Sequence, residues 1–185
     1  MNIFLPYEED IEASIASLDD VRLNKQILEM KILLDGARKY EKGEVSNGYF
    51  RHPVAQFYKD NPEFLTYYGF KCCEELWFRK NVYHQYYDYF EHLNNNWYKI
   101  TEPPAFTPYY MSGSKNTPDC IRTTYFVSEL FKTKLIAKWL NDKREPKWSI
   151  RGKPKFFVAY LSLSEAEQYE FWEKAKYIEE RVKGQ

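Results

Sequence analysis

Apolar residues in positions 18–37 recur at helical spacing, and they form two stripes rather than one. At about 100° per residue, the first stripe contains Leu23, Ile27, Met30, Leu34 and Ala37. The second stripe contains Val21, Leu28 and Ile32. Because a surface helix normally has a single apolar face, the pattern predicts a helix that is buried on two sides, near the middle of the protein.

A narrow polar lane separates the two stripes and contains Arg22, Lys25, Gln26 and Glu29. On a helix buried on both sides, these polar groups must either satisfy one another or line a cleft. Burial favours the neutral form of Glu29 and a neighbouring cation favours its charged form, which is how general acids and bases are tuned. The alternatives for Glu29 are therefore a catalytic carboxyl group and a structural ion pair.

The remaining pattern predicts a mainly α protein, a compact bundle of about five to six helices in one domain over residues 1–185. The segments with helical spacing are 9–16, 19–40 with Asp19 as N-cap, 52–58, 61–93, 119–143 and a last helix from Ser162 or Ser164 to about Val182. Residues 101–118 and 146–155 are predicted to be loops because they are rich in Pro, Gly, Ser or Lys.

Composition describes an ordinary globular protein except for its aromatic content. Hydrophobic residues make up 44% and charged residues 29%, whereas 17 Tyr, 13 Phe and 5 Trp give 19% aromatic residues. Such rings pack cores and also stack on bases or sugars. No signal peptide or membrane span is predicted, so we expect a cytoplasmic protein.

The net charge of zero conceals two opposite regions. Residues 1–20 contain six acids and no cation, whereas residues 132–155 contain nine cations and two acids. Within the basic region, residues 143–153 combine Trp148 with Pro146 and Gly152, and its cations include Arg144, Lys147, Arg151 and Lys153. This composition is typical of a phosphate-backbone contact. The alternative is a solvated loop whose Trp148 packs on the core.

The other reactive residue types give no familiar catalytic or metal motif. His52, His84 and His92 lack ligand spacing, and Cys72, Cys73 and Cys120 form neither a CxxC pattern nor a disulfide framework. We therefore predict buried, reduced thiols, no metal and no cofactor.

Arg122 and Tyr125 are a further candidate pair, for binding a phosphate or a carboxylate. The alternative is that Arg122 pairs with an acid of the N-terminal segment.

Residues 18–29 resemble the opening helix of the pyrimidine-dimer DNA glycosylases of the endonuclease V type, known from phages. Glu29 matches the position of that family's catalytic glutamate. Arg22 matches the position of a basic residue that the family carries seven positions before the glutamate. Residues 144–153 are similar to the family's Arg–Pro–x–Trp stretch and its DNA-contacting loop. The resemblance touches most of residues 1–155, and residues 156–185 look like a C-terminal helical addition.

This resemblance implies an all-α enzyme that cleaves the base–sugar bond of a damaged or modified pyrimidine in double-stranded DNA, with or without an AP-lyase step. The family's nucleophile is the α-amine of an N-terminal threonine; here position 2 is Asn2, so we expect Met1 to be retained and its amine to be the candidate nucleophile. The implied catalytic residues are Glu29, Met1 and Arg22. The implied DNA contacts are Asn2, Lys25, Gln26, Arg122, Tyr125, Arg144, Lys147, Trp148, Arg151 and Lys153. The alternative is a non-catalytic DNA- or nucleotide-binding phage accessory protein on the same scaffold, and in either case we expect a monomer.

Overall fold

A computed structural model describes residues 3–7, 10–44, 58, 60–104, 110–113, 118–121 and 124–183. For residues 110–113, 118–121, 124, 125, 182 and 183 it describes the backbone alone. The predicted helix at 52–58 lies outside the described residues, apart from Tyr58, which is buried.

Within these ranges the chain forms seven α-helices, a π-helical turn and one pair of short strands. The helices are α1 (Ile11–Ser17), α2 (Asp20–Glu41), α3 (Pro62–Lys80), α4 (Tyr87–His92), α5 (Thr124–Asn141), α6 (Lys155–Leu161) and α7 (Glu165–Lys183). The π-helical turn, Leu93–Trp97, continues directly from α4. Strands β1 (Tyr110–Gly113) and β2 (Pro118–Ile121) are antiparallel, with Met111 opposite Cys120. The mainly α prediction is confirmed, although the helices are more numerous than five or six.

The chain divides into two compact units. The central unit is Asp20–Phe106, and the terminal unit combines Met1–Asp19 with Thr107–Gln185. The terminal unit therefore joins the first residues of the chain to helices α5, α6 and α7. The single domain over residues 1–185, with residues 156–185 added to 1–155, stays a prediction.

Helix α2 buries only one of its two apolar stripes. Leu23, Ile27 and Met30 are fully buried, whereas Val21 is 73% exposed and Leu28 is also exposed. The prediction of a helix buried on both sides is therefore wrong. In the central unit α2 packs mainly against one partner, α3, which covers a single face. Its polar lane thus runs along the margin between a buried stripe and solvent.

The helix predicted to run from 61 to 93 is interrupted after Lys80. Asn81 adopts a left-handed conformation with φ 52°, and its N–H donates to the Trp77 carbonyl at 2.7 Å. Asparagine tolerates this conformation better than most residues, so it ends a helix readily. The apolar spacing resumes in α4, which is why periodicity alone joined the two helices.

Two other boundaries also differ from the sequence prediction. Residues 118–121 form β2 rather than the start of a helix, and α5 begins only at Thr124. Helix α6 falls at the end of the predicted loop, and its seven residues are too few for a clear periodic signal. The last helix is capped as predicted, because Ser164 and Glu167 form reciprocal hydrogen bonds.

Gly69 allows α3 to approach the buried ring of Phe90. A Cβ at this position would lie 2.2 Å from Phe90 Cε1 and 2.6 Å from its Cζ, closer than atoms can pack. We expect Gly69→Ala to lower the free energy of unfolding by roughly 1–3 kcal/mol, because the overpacking exceeds the gain in helix propensity. Urea unfolding followed by circular dichroism measures this change. Adding Phe90→Leu should recover part of the loss, and strictly additive effects would contradict the proposed contact.

Candidate active site

Glu29 lies on the solvent margin of α2 with both carboxylate oxygens near polar groups. Its side chain is 12% exposed. Gln26 Nε2 donates to Glu29 Oε2 at 2.8 Å, and Lys25 Nζ lies 3.8 Å from Glu29 Oε1. The amide and the ammonium both stabilise negative charge on the carboxylate, and the remaining exposure leaves it reachable from outside. Lys25 itself is mostly exposed, so its contribution is screened by water.

A tyrosine from α3 orients the amide that contacts Glu29. The Tyr68 hydroxyl is buried and donates to Gln26 Oε1 at 3.3 Å. Burial, followed by the nearby Cys72, Tyr58 and Glu29, raises the pKa of Tyr68 well above its ordinary value. The phenol therefore stays protonated and remains a donor. Because Gln26 accepts through its oxygen, its NH₂ group is directed towards Glu29.

The sequence contained no signal that singled out Tyr68, one tyrosine among seventeen. Only the packing of α3 against α2 brings it to the lane. Arg22, one of the predicted catalytic residues, lies on the same lane and is partly buried.

A buried ion-pair network holds the first residue of α2 against the end of α3. The Arg79 side chain has no exposure, and it donates from Nε to Glu75 Oε1 at 2.8 Å and from NH1 to Asp20 Oδ1 at 3.1 Å. Lys80 Nζ lies 3.3 Å from Asp20 Oδ2. Together with the Tyr68–Gln26 bond, this network fixes how α2 sits on α3, and so where Glu29 lies in the central unit.

The family model described as "Pyrimidine dimer DNA glycosylase" matches residues 1–89. The match covers just under half of the chain, and it supports the resemblance of residues 1–89 to this family. The match spans α1, α2 and α3, and so includes the Glu29 lane and Tyr68. Activity on pyrimidine dimers in DNA is what the family implies in general. No curated protein and no solved structure matches the chain.

The basic loop, residues 143–153, lies beyond the matched region and belongs to the terminal unit. Arg144, Lys147, Arg151 and Lys153 are all exposed. Lys153 pairs weakly with the exposed Glu145 at 3.7 Å. The backbone turns sharply here, since Ser149 and Gly152 have φ of 47° and 74° and Arg151 N–H donates to the Trp148 carbonyl. The cations are therefore displayed on a defined turn.

Trp148 is a packing residue rather than an exposed stacking surface, which corrects its predicted role. It is 4% exposed, and its indole Nε1 donates to the Ser17 carbonyl at 2.8 Å. Its ring meets Trp139 edge-on at 5.0 Å and lies 5.8 Å from Phe157. The indole anchors the basic loop to the core of the terminal unit, which is the alternative that the sequence left open.

Several predicted site residues lie outside the described residues. These are Met1, Asn2 and Arg122, and for Tyr125 only the backbone in α5 is described. Ile3, which follows Asn2, is buried in the terminal unit. The predicted roles of Met1, Asn2, Arg122 and Tyr125 therefore stay predictions.

Cys72, Cys73 and His84 are partly or fully buried, and their contacts are those of packing residues. Cys72 and Cys73 are buried free thiols as predicted, and burial, followed by the charge of Glu74, raises the pKa of Cys73 to about 12. The His84 ring accepts from the Tyr86 N–H at 3.1 Å, and burial lowers the pKa of His84. Among the described residues, no group of three or more His, Cys, Asp or Glu side chains could hold a metal ion.

One lysine of the terminal unit has an unusual amine that sequence analysis missed. Burial, reinforced by the charge of Lys138 and opposed by that of Glu179, lowers the pKa of Lys134 to about 8. A larger fraction of this amine is uncharged at neutral pH than for an ordinary lysine.

No described helix is long and apolar enough to cross a membrane.

Proposed function

We propose that this protein is a DNA glycosylase that removes a damaged or modified pyrimidine, with Glu29 as its catalytic carboxylate. The observation that carries the proposal is the geometry of Glu29: an accessible carboxylate, oriented by Gln26, within the region that matches the glycosylase family. Arg22 and Gln26 orient the carboxylate or contact a phosphate. The exposed cations of the basic loop hold the DNA backbone, with the target base displaced from the stack.

In the proposed reaction, the base–sugar bond breaks with its electron pair leaving on the base nitrogen. Positive charge then develops on C1′ and the ring oxygen of the sugar, and the Glu29 carboxylate stabilises that charge electrostatically. Water or an amine adds to C1′ and loses one proton, and the departing base takes up one proton. If an amine adds, opening of the sugar ring gives a Schiff base, from which the 3′ phosphate can leave by β-elimination.

Borohydride trapping on abasic DNA tests the amine step. We expect a covalent protein–DNA adduct after reduction, because an amine that forms a Schiff base is fixed to C1′ as a stable secondary amine. Peptide mass spectrometry of the adduct identifies the amine, and the Met1 α-amine is the expected position. An adduct at Lys134 would assign the step to that low-pKa amine instead. No adduct, together with no base release from damaged or modified DNA by the unaltered protein, would overturn the enzymatic proposal in favour of a non-catalytic binder.

The basic loop should contribute to DNA affinity through phosphate contacts alone. We expect Lys147→Ala with Arg151→Ala to weaken binding of undamaged duplex DNA and to reduce the slope of log K against log salt by about 0.9 for each lost contact. Fluorescence anisotropy between 50 and 200 mM salt measures both quantities. The matched control is Lys174→Ala with Lys176→Ala, which removes two exposed cations from α7 of the same unit. Equal effects of the two double variants would contradict a specific role for the loop.

A further inference from the structure

The C-terminal half of α2 carries a second cluster of charged and aromatic groups, away from the Glu29 lane. At about 100° per residue, Lys31, Asp35 and Arg38 lie roughly 180–240° around the helix from Glu29. The guanidinium carbon of Arg38 lies 4.8 Å from the centroid of the Trp97 ring. Trp97 is nevertheless 59% exposed, so the indole retains a large open surface beside a fixed cation.

The guanidinium of Arg38 is held in place by groups of the same unit. The Tyr89 hydroxyl donates to Asp35 Oδ1 at 3.0 Å. Burial, followed by Asp35, raises the pKa of Tyr89, and the nearby Arg38 guanidinium opposes that rise. Lys31 pairs with Asp35 and lies 5.4 Å from the centroid of the Tyr89 ring. A guanidinium stacked on an indole keeps its N–H edge available for a phosphate. Little ordering of Arg38 is therefore needed when an anion binds.

Trp97 ends a π-helical turn that contains three consecutive asparagines. π-Helical turns are rare in proteins, and those that do occur are often found at functional sites. Asn95 and Asn96 are exposed. Asn94 is buried, and its Nδ2 donates to Asn95 Oδ1 at 2.9 Å. Among the described residues, nothing donates to its Oδ1, and an unsatisfied buried acceptor costs about 1–3 kcal/mol. The two exposed amides, those of Asn95 and Asn96, directly precede Trp97 in the chain; Asn95 Oδ1 accepts from Asn94, and Asn96 Nδ2 lies 3.3 Å from His92 Nδ1.

We propose that Arg38, Trp97 and the asparagine amides of the π-helical turn bind a purine nucleotide. The purine stacks on the open surface of Trp97, which provides the largest aromatic face for it. An asparagine amide donates to N7 and accepts from the exocyclic amino group, the pairing that asparagine makes with adenine. The phosphate lies on Arg38.

Two sources could provide this ligand: a free nucleotide and an unstacked adenine within a single strand. Both arms of the test use the full-length protein without damaged DNA. In the first arm, dAMP is titrated and binding is measured by calorimetry. In the second, a fluorescent oligothymidine with one central adenine is compared, by anisotropy, with the all-thymidine oligomer of the same length.

We expect Trp97→Ala to weaken binding of the true ligand, either dAMP or the adenine-containing oligomer, by roughly 5- to 100-fold. This range corresponds to the loss of one base-stacking contact. Trp97→Phe should keep most of the affinity, and Arg38→Met should weaken binding of the phosphate-bearing ligand. The matched control is Trp77→Ala, which removes another exposed tryptophan of the central unit. Circular dichroism confirms that each variant is folded.

If Trp97→Ala weakens binding of the oligomer but not of dAMP, the site is assigned to a nucleic-acid strand. If Trp97→Ala weakens binding of dAMP, the site is assigned to a free nucleotide. No binding of either ligand, or equal binding by Trp97→Ala and the unaltered protein, would overturn the proposal. The inference is independent of base excision, so Glu29→Gln should bind both ligands normally. Loss of binding in that variant would place the ligand at the Glu29 lane and overturn the second site.

Discussion

Glu29→Gln is expected to lower the single-turnover rate of base excision roughly 100- to 10,000-fold, the range associated with losing a catalytic carboxyl group. The substitution preserves the size and hydrogen-bonding shape of the side chain but removes its charge. Gln26 Nε2 would still find an acceptor at this position. The fold should therefore persist while stabilisation of the positively charged sugar is lost. An oligonucleotide with a single pyrimidine dimer, mixed with excess protein, measures this rate directly.

The matched control is Glu41→Gln, which makes the same chemical change at an exposed position of the same helix. It should leave the excision rate within about twofold of the unaltered protein, because surface charges affect stability and chemistry only slightly. Binding of the dimer oligonucleotide should be preserved in both variants. If Glu29→Gln retained the full rate, Glu29 would be a structural carboxylate and the proposed function would be wrong.

Replacing Arg79 should cause the largest loss of stability, with Arg79→Met lowering the free energy of unfolding by about 3–5 kcal/mol. Methionine fills the volume but leaves Glu75 and Asp20 without the buried cation that bridges them. The loss should appear as a lower midpoint of thermal unfolding, followed by circular dichroism. Because Asp20 begins α2, excision by the folded fraction should also fall.

Lys80→Met is the control for this prediction, since Lys80 contacts the same Asp20 from a partly exposed position. We expect a change of about 0–1 kcal/mol there, as is usual for exposed ion pairs. Equal losses in the two variants would indicate that the buried network contributes no more than a surface pair.

The candidate acid and the helix that carries it could be predicted from sequence because both depend on local pattern. The spacing of Leu23, Ile27 and Met30 identified the buried stripe of α2, and the resemblance in residues 18–29 selected Glu29. The π-helical turn and the break at Asn81 could not be predicted in this way. Both depend on backbone conformations that one or two residues adopt, and such changes leave the apolar spacing almost unaltered.

By itself, the sequence determined the helical class, the capped start of α7, the buried stripe of α2, the match of residues 1–89 to the glycosylase family and the cationic character of residues 143–153. These features follow from residue type and periodicity along the chain. Only the tertiary structure decided that the second stripe of α2 is exposed, that Trp148 is an anchor and that Tyr68 orients Gln26 towards Glu29. The reason is that burial and side-chain partners depend on which elements pack together. The spacing of apolar residues shows which of them share a face of a helix, but it does not show which element packs on that face.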